Sequence, residues 1–214
     1  MRSAIRVKQL PIDEAAQRKL IEARLGMFYD DMSAIAEQIF NGELLLAEWE
    51  YQMRQYIRGM HSSMGAIGKG GWDNMTQSDW GRIGAWIKKQ YKYLHGFAED
   101  IAANRDTIAL GTVQARANMY GEAAGLTAMM MSTNGIIISK LPWMPKDGST
   151  ECLVNCKCIW VLEVIKRTKR YQTVYAVWRL RPAEHCNDCL DRANYKLTFN
   201  IPANIPVPNY IGGY

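Results

Sequence analysis

All five cysteines of the chain fall between positions 152 and 189, in two hooks: Cys152-x3-Cys156-x-Cys158 in ECLVNCKC, and Cys186-x2-Cys189 in EHCNDC. Thiolates three residues apart can turn toward one ion, and an antiparallel hairpin between two such hooks brings them together from opposite strand ends. The pattern predicts a structural Zn²⁺ held by Cys152, Cys156, Cys186 and Cys189. Cys158 and His185 are alternates, because Cys156 and Cys158 share one face of a strand and His185 adjoins the second hook. Two other readings stay open, namely two disulfides with one thiol left over, or partly buried unpaired thiols. The opening MRSAIRVKQLPIDEAAQRK has no apolar core of a secretion signal. A reducing compartment is therefore expected at synthesis, where crowded cysteines read as metal ligands more readily than as bridges. Four filled protein positions leave no place for a reactive water, so the expected ion stabilises a fold and does not catalyse. CNDC also has the spacing of a redox pair, but no strand-to-helix alternation precedes it.

Upstream of the hooks the hydrophobic pattern has the period of helices. Residues 13–40 carry Leu20, Leu25, Met27, Phe28, Met32, Ile35, Ile39 and Phe40 at three-to-four spacing, with Asn41-Gly42 as a stop signal. A second helix is predicted from Leu44 to about Met60, after which Gly65, Gly68, Gly70 and Gly71 loosen the backbone. A third is predicted over 78–104 with Thr76 or Ser78 as its cap, and a fourth over 106–131, broken at Asn134-Gly135. From Leu141 the pattern changes: CKCIWVLEVI and TVYAVWRL read as two strands joined by the basic turn KRTKR. The tail IPANIPVPNYIGGY carries three prolines and is expected to be an extended arm or a peptide laid on the surface. The fold class expected is α+β: a helical body over 1–135, a cysteine-rich, metal-stabilised β hairpin over 136–200, and an extended proline-containing tail over 201–214.

The net charge is +5, and residues 151–214 hold nine Lys/Arg against five Asp/Glu. Lys166, Arg167, Lys169 and Arg170 form the densest basic run, a candidate nucleic-acid patch that reads equally as the solvated end of a hairpin. Trp49, Trp72, Trp80 and Trp86 are candidate subunit contacts, since aromatic area is effective at desolvated interfaces. No apolar run approaches the roughly 18 residues of a membrane span. His61 and His95 lie on aromatic helices outside any HExxH pattern, and Ser62, Ser63, Ser149 and Thr150 have no identifiable activating base. The chain is accordingly expected not to be an enzyme.

Taken together, LPWMPKDGSTECLVNCKCIWVLEV and WRLRPAEHCNDCLDRA resemble the C-terminal region of tailed-bacteriophage head-morphogenesis and minor-head proteins, broadly the Mu F-like class. AEWEYQMRQYIRGMHSSM, GGWDNMTQSDWGRIG and KKQYKYLHGFAEDIA extend the likeness, which covers roughly residues 44 to 192. The order here, NCKC hook before HCNDC hook, departs from members in which the histidine/cysteine segment comes first. The resemblance implies a structural role for Cys152, Cys156, Cys158, His185, Cys186 and Cys189. It also implies a homo-oligomeric virion component of the head or head-tail neck, made in the bacterial host cytoplasm. Portal, capsid or connector proteins would be its partners; the resemblance assigns DNA binding to no residue here, and contact with packaged DNA is carried only by the basic run as a candidate.

Overall fold

The computed structural model of the protein describes residues 14–132, 135–147, 149–152 and 156–212. Four long helices come first: α1 (Glu14–Phe40), α2 (Leu46–Gly68), α3 (Gln77–Ala103) and α4 (Leu110–Met131), with a 3₁₀ turn at Trp72–Asn74. One turn of helix, α5 (Gly135–Ile138), leads to a sheet of β1 (Ile159–Arg167), β2 (Tyr171–Arg179), β3 (Lys196–Pro202) and β4 (Tyr210–Gly212). The single-turn helix α6 (Asn187–Asp191) stands between β2 and β3. The chain is α+β, as its sequence pattern predicts.

α2 is the centre of the bundle and touches the other three long helices. Its buried stripe, Trp49, Met53, Ile57, Met60 and Met64, follows the helical period and meets Phe28, Met32, Ile35, Ala36 and Ile39 of α1. Leu20, Met27 and Phe40, expected on that α1 stripe, are instead exposed. α2 also runs two turns past its predicted end. Gly65 and Gly68 do not loosen the backbone but admit neighbours, whereas Gly70 and Gly71 take positive φ in the turn beyond the helix, as expected. A Cβ at Gly65 would lie 2.3 Å from Ile83 Cδ1, and one at Gly68 would lie 2.2 Å from the Ala128 carbonyl oxygen. α4 starts at Leu110 rather than 106 and is continuous through Gly111, Gly121 and Gly125. At Gly121 a Cβ would press on Phe28 and Tyr29 at 2.8 and 2.9 Å.

α3 begins at a reciprocal cap. Thr76 Oγ1 accepts from Asp79 N–H at 3.2 Å, while Asp79 Oδ2 accepts from the Thr76 N–H at 3.0 Å and its hydroxyl at 2.8 Å. Lys69 and Arg82 also reach this nearly buried carboxylate, at 3.1 and 2.6 Å. Burial opposes the charge of Asp79, but the Thr76, Arg82 and Lys69 contacts outweigh it and hold its pKa well below the usual carboxylate range. His61 is buried too, its Nδ1 2.7 Å from Thr127 Oγ1, and burial lowers its pKa to about 4.

The sheet order is β3-β2-β1-β4, every pair antiparallel. Trp160 and Leu162 of β1, and Val174, Ala176 and Trp178 of β2, turn inward by the period of two and pack with Ile137, Ile138, Leu141, Ile201 and Ile211. Cys156, Cys158 and Cys189 belong to the same apolar cluster. The module is therefore larger than the predicted hairpin and has a core of its own. The tail is not an extended arm. Pro202 ends β3 and Pro206 and Pro208 lie in the connection, whereas Tyr210–Gly212 contains no proline and pairs Ile211 opposite Trp160.

Among the four tryptophans expected to offer contact area, Trp49 is 0% exposed and edge-packed on Phe97 at 5.2 Å, so it belongs to the core and not to an interface. Trp86 is half-buried. Trp72 and Trp80 are 56% and 37% exposed and stack on each other at 5.8 Å. Among the described residues no helix is long and apolar enough to cross a membrane.

Candidate metal centre

Because Ile159 pairs with Arg179, the chain entering β1 and the chain leaving β2 lie at the same end of the sheet. Cys156 and Cys158 precede β1, and residues 180–186 lead from β2 to α6. The N–H groups of Cys189 and Leu190 both donate to the Cys186 carbonyl at 3.1 Å, closing the turn that joins the CxxC sulfurs. The two hooks meet there. Cys189 Sγ lies 3.6 Å from Cys152 Sγ and 3.6 Å from Cys156 Sγ, and Cys158 Sγ is 3.7 Å from His185 Nδ1. Among the described residues three donor sets result, Cys152/Cys156/Cys189, Cys158/His185/Cys189 and Glu151/Cys186/Asp188, the atoms of each lying within 4.8 Å of one another. The predicted ligand Cys186 thus falls in the third set and not with Cys152, Cys156 and Cys189.

These separations bear on the kind of clamp. A tetrahedron with metal–sulfur bonds of about 2.3 Å has sulfur–sulfur edges of about 3.8 Å, whereas a disulfide requires about 2.05 Å. The observed 3.6 Å contacts fit an ion between the sulfurs, and none of the five cysteines is bridged. Cys156, Cys158 and Cys189 are buried, Cys152 and Cys186 half-buried. Burial pushes the thiols of Cys152 and Cys189 up, and that of Cys158 up to about 12 with help from the charge on Cys156. Cys186 differs. Burial works against its anion, but the backbone N–H groups of Cys189 and Cys152, followed by their thiols, outweigh burial and lower its pKa. One sulfur thus has backbone donors suited to a thiolate, and its neighbours need a cation beside them to ionise at neutral pH.

Side chains outside the hooks fasten one hook to the other. Asp188 Oδ2 accepts the Glu151 N–H at 2.8 Å. Arg192 donates to Ser149 Oγ at 2.9 Å and to its carbonyl at 2.6 Å, while its guanidinium lies 4.5 Å over the Trp143 ring. Thr150 is buried with its Oγ1 3.2 Å from Cys152 Sγ, beside the turn that the sequence places before the first hook. Neither Asp188 nor Arg192 stands out in the sequence, since charged residues at a short helix ordinarily face water.

The basic run lies at the opposite end of the β1-β2 hairpin. A bulge between Val164 and Lys166 precedes it, and Lys166, Lys169 and Arg170 are exposed there. Arg167 is committed to structure: its guanidinium donates to Gln172 Oε1 at 3.2 and 2.8 Å. Gln172 is fully buried, and its Nε2 donates to the carbonyls of Pro202 and Ile205. A second polar link joins the sheet module to the bundle. Tyr29 donates its hydroxyl to Glu122 at 2.5 Å, and Lys146, in left-handed backbone at φ 67°, reaches the same carboxylate at 2.5 Å.

No family model, no curated protein and no solved structure significantly matches this chain.

Proposed function

We propose that the chain is a non-catalytic structural subunit of a tailed-phage head or portal-proximal neck, its C-terminal module fastened by Zn²⁺ on Cys152, Cys156, Cys186 and Cys189. The observation that carries the clamp is the meeting of both hooks at Cys189, with 3.6 Å sulfur contacts to Cys152 and Cys156. The virion assignment draws on the likeness of GSTECLVNCKC and EHCNDC to minor-head proteins. It is supported by an exposed Trp72–Trp80 stack of the kind that desolvated subunit contacts use.

Zinc supplies a fixed cross-link whose binding free energy is folding free energy. The chain's own residues do the positioning: Asp188 and Arg192 hold the 149–152 turn against α6, and Trp143, Trp160 and Trp178 exclude water beside the cysteines. Portal, capsid or connector proteins and further copies of the chain are the partners. Association of the purified chain with portal protein, or a defined ring resistant to nuclease, supports this role.

The second reading is a basic nucleic-acid module, favoured by the exposed Lys166, Lys169 and Arg170 at the hairpin tip. Phosphate contacts release counterions, so such binding weakens steeply with salt. Salt-sensitive DNA binding by a monomer with no affinity for head proteins would replace the assembly role with this one.

A further inference from the structure

We infer that the cysteine cluster holds two divalent ions bridged by the Cys189 thiolate, the second bound by Cys158 and His185; this rests on the metal-clamp reading above. The decisive residue is His185. Its Nε2 lies 2.7 Å from the Arg181 carbonyl oxygen, which can only accept, so in the neutral ring the proton sits on Nε2. The Nδ1 lone pair is then bare and faces Cys158 Sγ at 3.7 Å, with Cys189 Sγ in the same donor set. A ring that donates one N–H to a backbone carbonyl and turns its other nitrogen toward thiols has the outer-shell arrangement of a metal-ligating histidine.

One tetrahedral ion cannot use all the donors gathered here. Cys152, Cys156, Cys186 and Cys189 fill its four positions, and Cys158 and His185 are then left over. Cys158 is fully buried, its Sγ within 4.8 Å of Cys189 Sγ. Cys189 is the sulfur common to the Cys152/Cys156 and Cys158/His185 sets and lies 3.6 Å from both Cys152 and Cys156. Sharing it gives the second ion three protein donors, with one tetrahedral position left to water or an incoming ligand. The second cation also offsets the charge of the fully buried Cys158 thiolate, which burial otherwise disfavours.

The test is the zinc content of the full chain, purified under reducing conditions without added zinc and measured by atomic-emission spectrometry against protein concentration. His185→Ala and Cys158→Ser are measured alongside, with circular dichroism to verify folding. Two zinc ions per wild-type chain, falling to one in each variant at unchanged helical signal, is the expected result. One zinc in the wild type overturns the inference and leaves the single clamp standing. Two that persist in both variants place the second ion elsewhere and overturn it as well. No zinc at all removes the clamp reading itself, and if the variants fail to fold, the wild-type count alone decides.

Discussion

Cys189 is shared by the Cys152/Cys156 and Cys158/His185 donor sets, so its loss differs in kind from the loss of any one neighbour. Cys189→Ser is expected to weaken zinc binding by at least ~10²-fold in competition with a chromophoric chelator. Asp188→Ala, which removes only the acceptor for Glu151 N–H, should cost about tenfold. Buried His61 makes a separate prediction. Its folded pKa of about 4 lies below the ordinary histidine value of 6.5 because of burial, so the unfolded chain takes up the proton first as pH falls. Its stabilising effect is complete above about pH 6.5 and declines toward pH 4, by up to about 3 kcal/mol. Urea unfolding across that range should show the slope in the wild type and a shallower one in His61→Gln.

At the scale of the element, the glycines of α2 divide by what lies beside them. Gly59 is exposed with nothing within 4 Å of a Cβ, so Gly59→Ala should stabilise the chain by up to about 1 kcal/mol through helix propensity. Gly68→Ala places a methyl 2.2 Å from the Ala128 carbonyl oxygen and should destabilise by about 1–3 kcal/mol despite the same propensity gain. Denaturation midpoints measure both. The same contrast shows what was legible beforehand. Period and caps announced the four helices and the Thr76 start of α3, because those signals are local. The role of Gly65 and Gly68 was not legible, since a glycine that admits a neighbouring helix and one that ends a helix look alike in one dimension. β3 and β4 were missed for different reasons. Lys196–Pro202 alternates cleanly, with Leu197, Phe199 and Ile201 facing inward, so β3 was legible in the period and only Pro202 at its end spoke against it; prolines 206 and 208 masked the three-residue β4, which gains its hydrogen bonds only by meeting β1. At the site, the ligand types could be read from the hooks. The tautomer of His185 and the fastening by Asp188 and Arg192 depend on contacts across more than thirty residues or on a backbone carbonyl, which no local pattern encodes.

Across the whole molecule two apolar cores are present, one inside the helical bundle and one between the sheet and the cysteine turns. Among the described residues, only the second contains clustered candidate metal donors. Chelation should therefore disturb the near-ultraviolet dichroism of the Trp143, Trp160 and Trp178 cluster while leaving most of the far-ultraviolet helical signal, which α1 to α4 dominate. A signal lost equally at both wavelengths would mean that the bundle depends on the clamp. The link from Tyr29 through Glu122 to Lys146 should make the two cores sense each other, so Glu122→Ala is expected to lower the midpoint of thermal unfolding by several degrees. X-ray absorption at the zinc edge, on chain purified without added metal, reads the ion and its ligands together. A bound ion whose nearest shell is mainly sulfur at about 2.3 Å is expected. An absent edge, or a shell of oxygen and nitrogen alone, would contradict the zinc clamp.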